Sequence, residues 1–183
     1  MGRIEEKTLS TKNNRKVHIR TAKPADSEFL IDINLQIVNE KLYMLRQPEE
    51  AIYTKEGEIK KIENYLDNEG SLYIVAEIDN EVVGYLDFHN GVFKRTQHAG
   101  SFSIYILKKW RQLGIGELLL NELLEWAKNT SLIEKITLAV FSTNERAQAL
   151  YRKLGFKEEG RCPKDMKLED GTYMDSVLMY KFV

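Results

Sequence analysis

A strand, a glycine-bearing turn and a helix follow one another between Ala99 and Lys128, and this succession constrains the fold more than any other part of the chain. AGSFSIYIL, from Ala99 to Leu107, reads as a strand bounded by turn residues. WRQLGIGELLLNELLEWAK, from Trp110, places Gly114 and Gly116 at the mouth of a run with helical spacing. Glycine is costly inside a helix and useful where backbone turns sharply or approaches a ligand closely. The first helical N–H groups lack intrahelical partners, and the helix dipole favours negative charge there. The segment is therefore a candidate anion site, with Arg111 adding positive charge. A Walker loop would need lysine and then serine or threonine after its last glycine, but Glu117 and Leu118 follow Gly116. A dinucleotide fingerprint would need a third glycine where Leu119 stands. Taken alone, the two glycines fit an ordinary tight turn ahead of a core helix better than a phosphate site.

The remaining segments indicate the setting. KVHIRTA from Lys16 alternates as a half-buried strand, and Lys7 to Ser10 fits an earlier hairpin strand across the turn-like TKNNRK. Residues 1–16 thus read as an N-terminal extension of one 183-residue domain. Asp26 is placed to cap a helix reaching Val38, with Phe29, Leu30, Ile33 and Ile37 on one face. A second helix lies between Glu56 and Leu66, carrying Ile59, Ile62 and Leu66. Between them EKLYMLRQPEEAIYTKEG is irregular and is a candidate substrate loop. SLYIVAEI and EVVGYLDFHN form antiparallel strands about Asp79-Asn80. KITLAVF from Lys135 is another strand. NERAQALYRKLG is a short helix with Ala147, Leu150, Tyr151 and Leu154 on one face, ended by Gly155. FKEEGR and TYMDSVLMYKFV close the chain as strands about Asp170-Gly171. The expected class is α+β, or mixed α/β: a mostly antiparallel sheet with helices at intervals.

Composition limits the function classes. With 27 Lys and Arg against 28 Asp and Glu, the net charge of −1 exerts no general pull toward nucleic acid or anionic membrane. No apolar run approaches the length needed to span a bilayer, and MGRIEEKTLSTKNNRK lacks the apolar core of a signal peptide. The single cysteine, Cys162, excludes an intrachain disulfide. The expected location is cytoplasmic. His18, His89 and His98 lack metal-ligand spacing, so no metal is expected.

Arg111-Gln112-Leu113-Gly114-Ile115-Gly116 matches the Arg/Gln-x-x-Gly-x-Gly/Ala signature of the GNAT (Gcn5-related) N-acetyltransferases. LAVFSTNERAQALYRKLGFKEEGR resembles the family's next segment: a strand, an asparagine, a helix bearing a tyrosine, then Leu-Gly-Phe. The resemblance runs from about Val17 to the C-terminus and is strongest from Phe102 to Arg161. It implies the GNAT fold, with splayed middle strands, and a loop from Arg111 to Glu117 that cradles the pyrophosphate of acetyl-CoA. It also implies that backbone at Ile104, Tyr105 and Ile106, where the family's fourth strand splays from its fifth, pairs with the pantetheine arm by strand addition. Asn144 matches a position that hydrogen-bonds that arm, and it also suits a helix cap.

The reaction implied is direct attack by an amine on the thioester. The acceptor would be a small-molecule amine or a protein N-terminal amine, with no covalent enzyme intermediate. Cys162, in Gly-Arg-Cys-Pro with no histidine nearby, fits an inert thiol better than a nucleophile. Tyr151 matches the family's general acid; helical periodicity alone assigns it to packing. Asp87 and His89 lie two apart on one strand and share a face, while Glu40 and Tyr43 lie in the variable acceptor segment. Each could guide a proton through water and each equally fits a structural role; Glu40 and Asp87 join Tyr151 as catalytic candidates. Arg146 and Lys153 are within reach of phosphates or are solvated helix charges. An O-acyltransferase and a non-catalytic CoA-binding sensor remain open alternatives, as do the acceptor and the base. The family resemblance also admits a homodimer.

Overall fold

Alternating apolar and polar residues build one eight-stranded sheet in the computed structural model, which describes residues 2–183. The strands are β1 (Lys7–Ser10), β2 (Lys16–Thr21), β3 (Leu72–Ile78), β4 (Glu81–Asn90), β5 (Ala99–Ile106), β6 (Lys135–Phe141), β7 (Lys157–Lys167) and β8 (Tyr173–Phe182). The helices are α1 (Ser27–Asn39), α2 (Lys55–Asp67), α3 (Ile115–Lys128) and α4 (Glu145–Lys153). Strand order is β1-β2-β3-β4-β5-β6-β8-β7, and every neighbouring pair is antiparallel except β5 and β6. Among the described residues no helix is long and apolar enough to cross a membrane.

The two sheet faces carry separate cores because side chains alternate along each strand. Val17, Ile19, Leu72, Ile74, Leu86 and Phe88 face α3, which presents Ile115, Leu119, Leu120 and Leu123. Tyr73, Val75 and Tyr85 face α1 and α2, which present Leu30, Ile33, Ile37 and Ile62. The tyrosines suit this second face because their hydroxyls find acceptors there. Tyr73 donates to Glu58 at 2.8 Å, and Tyr85 donates to Asn34 at 2.5 Å. Burial raises the pKa of both phenols well above the ordinary value and keeps them donors.

The turns follow from backbone preference. Asp79 and Asn80 both take left-handed φ, at 52° and 63°, as a two-residue hairpin loop requires. Gly155, at φ 85°, ends α4. Two local expectations change. Phe29 is 48% exposed and lies off the buried face of α1. Asp26 precedes α1, yet its side chain does not cap that helix. Its carboxylate accepts both guanidinium arms of Arg20, at 2.7 and 2.8 Å, and the Lys23 N–H at 2.8 Å. A charge-assisted fork outcompetes a neutral amide for the same oxygens.

Glu77 completes this group, accepting from Arg20 at 2.7 and 3.0 Å. The Arg20 and Asp26 side chains are only 10% and 7% exposed, so removing one partner leaves a buried charge undercompensated. Asp26→Ala is expected to cost roughly 3 kcal/mol, the low end of such losses because Glu77 remains. Urea unfolding measures this, and a loss below about 1 kcal/mol would mean that the group is solvated.

Candidate functional site

Strands β5 and β6 are hydrogen-bonded neighbours only at their beginnings, where Ala99, Gly100 and Ser101 lie opposite Lys135, Ile136 and Thr137. Beyond that point they diverge. On its other edge β5 keeps register with β4 from Asn90–Gly100 to Gly84–Ile106. Hydrogen bonds from Leu107 N–H to Val83 O and from Gly91 N–H to Ala99 O, both 3.0 Å, bracket that ladder and fix its parity. In an antiparallel pair every second residue turns both backbone groups to its partner. Ser101, Ser103 and Tyr105 therefore pair with β4, while Phe102, Ile104 and Ile106 turn their amides and carbonyls into the gap. The same parity applies to β6, where Ser142 N–H donates to Asp175 O at 2.9 Å. Thr137, Ala139 and Phe141 face the gap from that side.

The loop between β5 and α3 lies at the open end of this gap. Gly114 takes φ 88°, a left-handed value that disfavours any side chain. The first bond of the helix, from Leu118 N–H to Gly114 O, is 3.1 Å long, so the amides of Ile115, Gly116 and Glu117 precede the hydrogen-bonded ladder. Gly116 has a different reason to be glycine. A Cβ there would stand 3.3 Å from Ile106 Cδ1 and 3.6 Å from Leu150 Cδ2, so its bareness lets α3 pack closely on β5 and α4. Gln112 is also left-handed, at φ 69°, and Ile115 is buried in the core.

Several candidate residues are engaged by neighbours. Arg111 donates through Nε to Ile106 O at 2.8 Å and through both terminal nitrogens to Glu40, at 2.6 and 2.7 Å. The guanidinium thus joins the glycine loop to the segment after α1, and both Glu40 oxygens are occupied. Glu117, in the first turn of α3, pairs with Lys153 of α4 at 2.6 Å. Arg146 is exposed. Asp87 is buried and accepts from Lys61 Nζ of α2 at 2.8 Å. That ammonium stands 4.6 Å from the Tyr73 ring centroid and 5.8 Å from those of Tyr65 and Tyr85, so it is held by aromatic faces as well as by charge.

Tyr151 and Asn144 flank the gap on the side of β6. Asn144 caps α4, its side-chain oxygen accepting the Ala147 N–H at 3.2 Å, which leaves its amide nitrogen for another partner. Tyr151 is 7% exposed and packs edge to face on Phe102 and Phe156, with centroids 5.7 and 6.0 Å away. Burial is the main cause that raises its phenol pKa above the ordinary value, and the neighbouring Tyr105 phenol adds to it. Among the described residues no cluster of three or more His, Cys, Asp or Glu is arranged to hold a metal.

The irregular segment after α1 crosses the mouth of the gap. Tyr43 packs on Phe141 at 5.8 Å, and its hydroxyl donates to Thr143 O at 3.3 Å. Sequence reading missed Gln148, which is buried and donates to the Phe141 and Ser142 carbonyls at 3.2 and 2.9 Å. It also missed Lys61. Alternation did place Asp87 and His89 on one face, but nothing local shows which helix cation meets Asp87.

Comparisons with known proteins agree with this geometry. Residues 39–156 match the model of the acetyltransferase (GNAT) family. The L-amino acid N-acetyltransferase AaaT of Escherichia coli is 33% identical over 117 residues, 64% of this chain and 72% of that protein. An N-alpha-acetyltransferase of Sulfurisphaera tokodaii is 32% identical over 157 residues, 80% of this chain and 84% of that one. A GNAT-family acetyltransferase structure from Streptococcus pneumoniae superposes with a TM-score of 0.88 at 26% identity, covering 91% of this chain and 99% of that one. The yncA structure from Salmonella typhimurium, solved with its cofactor acetyl-CoA, shares the fold with a TM-score of 0.81 at 20% identity, covering 91% of this chain and 93% of that one. With a glycine loop at the mouth of two diverging strands, and with these relatives, the chain belongs to the acetyltransferase (GNAT) family and is an acyltransferase.

Proposed function

We propose that this enzyme transfers an acetyl group from acetyl-CoA to the α-amino group of an amino acid or of a protein N-terminus, with Tyr151 as the acid. The observation that carries the reading is the gap between β5 and β6, whose backbone edges end beside the open first turn of α3. Acetyl-CoA supplies the activated acyl group as a thioester. The residues present fit it. The amides at Gly114 to Glu117 suit the pyrophosphate, where a Cβ on Gly114 would be strained. Ile104 offers its amide and carbonyl to a pantetheine arm, Ile106 offers its amide, since its carbonyl accepts from Arg111, and Asn144 offers its side-chain amide. Tyr105, whose backbone belongs to the β4 ladder, contributes instead a side chain on the α1 and α2 face. Arg111 serves as a brace between the two halves of the site, since its nitrogens are bound to Glu40 and Ile106.

The engaged carboxylates bear on the acceptor. Glu40 is forked by Arg111 and Asp87 is held by Lys61, so both act better as anchors than as free proton carriers. An acceptor that needs little help with deprotonation suits this site. The α-amine of a peptide N-terminus, with a reference pKa of about 7.7–8.0, is free in roughly one molecule in seven at pH 7, whereas an alkylamine near 10.4 is free in about one in 2,500. One relative is named for amino acids, another for N-alpha-acetylation and a third for spermidine.

Tyr151 can hold a proton at Oη throughout the neutral range, because burial raises its pKa. Full transfer to a thiolate of pKa about 8.5 is uphill from such a phenol. The hydroxyl then acts mainly as a hydrogen-bond donor, its proton moving only as negative charge builds on the leaving sulfur.

Three outcomes test this reading. CoA at 100 times its dissociation constant is expected to stabilise the fold by about 2.7 kcal/mol, read as a rise in Tm, and NAD far less. Equal protection by NAD would contradict a CoA site. In single-turnover assays Tyr151→Phe is expected to slow acetyl transfer about 100-fold or more with CoA affinity nearly unchanged. An unchanged rate removes Tyr151 from the chemistry. Across an amine panel at pH 7, followed by mass spectrometry, peptide N-termini are expected to exceed polyamines at least tenfold in kcat/KM, with the ratio narrowing as pH rises. A polyamine preference at neutral pH would point to a base other than these two carboxylates.

A further inference from the structure

The β1–β2 hairpin ends against the glycine loop. Thr11, 4% exposed, organises its turn: Thr11 N–H donates to Arg15 O at 2.9 Å, and Thr11 Oγ1 accepts the Arg15 N–H at 3.0 Å. Two contacts then hold the tip to the loop. Lys12 N–H donates to Leu113 O at 2.9 Å, and the Arg15 guanidinium stands 5.3 Å from the Trp110 ring centroid. The aliphatic stem of Lys12 consequently lies across Gly114. A Cβ built on Gly114 would be 3.3 Å from Lys12 Cγ, 3.8 Å from Cδ and 3.6 Å from Cε. The ammonium is one bond beyond Cε.

Two other cations close to the loop are committed. Arg111 is bound to Glu40, and Lys153 offsets Glu117 in the first turn of α3. Lys12 makes no ion pair among the described residues. We infer that Lys12 is a phosphate-binding residue of the CoA site, and that the N-terminal hairpin is thereby part of that site. This rests on the acetyl-CoA reading above. A lysine on an exposed turn acts as a point charge to a phosphate oxygen, so its contribution is modest and depends on salt.

The test is CoA binding by calorimetry for the wild type, Lys12→Gln and Lys12→Arg, at low and high salt. Lys12→Gln keeps the Cγ and Cδ positions over Gly114 and the backbone bond to Leu113, so the fold is retained, and unaltered thermal unfolding without ligand checks this. The expected result is CoA binding about 5- to 10-fold weaker in Lys12→Gln at low salt. The difference is expected to shrink in 0.5 M salt, and Lys12→Arg to restore most of the affinity. Repeating the titration with 3′-dephospho-CoA identifies the phosphate: the same loss assigns the pyrophosphate, and a loss confined to CoA assigns the 3′-phosphate. Wild-type CoA affinity in Lys12→Gln overturns the inference and leaves the acetyl-CoA reading intact. A loss that neither salt nor arginine alters overturns it too, because that pattern marks packing. No CoA binding by the wild type would overturn both.

Discussion

The parting of β5 from β6 after Ser101 and Thr137 is the constraint on which the rest of this structure depends. Continuous pairing of β5 with β6 would satisfy the facing backbone groups of both strands and leave no edge there for a ligand. Here the three rings of Phe102, Tyr151 and Phe156 pack edge to face at the point of separation, while β4 and β8 keep the outer edges in register. The divergence is thus held from both sides. Buried backbone polar groups need partners, and a strand edge inside a cleft supplies a ready template for an extended chain. The same divergence lets α3 begin at the open end of the gap, where its unpaired amides add to the site.

Charged pairs then connect elements distant in sequence around the opening. Arg111 ties the glycine loop to Glu40 at the end of α1, Lys153 ties α4 to the first turn of α3, and Lys61 ties α2 to Asp87 on β4. The Arg111 pair is forked and partly buried, with side chains 30% and 18% exposed. Such a geometry holds orientation better than a solvent-exposed pair does. It couples the position of the loop to that of the segment crossing the cleft mouth. Arg111, which the motif assigns to phosphate, is held by a carboxylate in this structure.

Much of the architecture was legible because it rests on local periods. KITLAVF became β6 from Lys135 to Phe141, and the run after Gly114 became α3 ending at Lys128. The hairpin of Lys7–Ser10 with β2 followed from alternation and a turn between. The left-handed Gly114 and Gly155 stand where glycine alone is unstrained. Periodicity failed where a side chain had two competing uses. Asp26 looked like a helix cap, but Arg20 lies close enough in space to claim it. Phe29 has the spacing of the buried face of α1 yet lies at its border.

By itself, then, the amino-acid order determined the strands and helices, the glycine turn, and the pairing of a loop motif with Asn144 and Tyr151 that marks the family. These depend on interactions within a few residues, or on a pattern that can be read along the chain. Only the tertiary structure decided that Arg111 meets Glu40, that Asp87 meets Lys61 and that Lys12 lies over Gly114. Each of these contacts joins segments separated by 26 to 102 positions in the chain, from Lys61 with Asp87 to Lys12 with Gly114. No local period relates such partners, and long charged side chains choose among acceptors by distance once the sheet has formed.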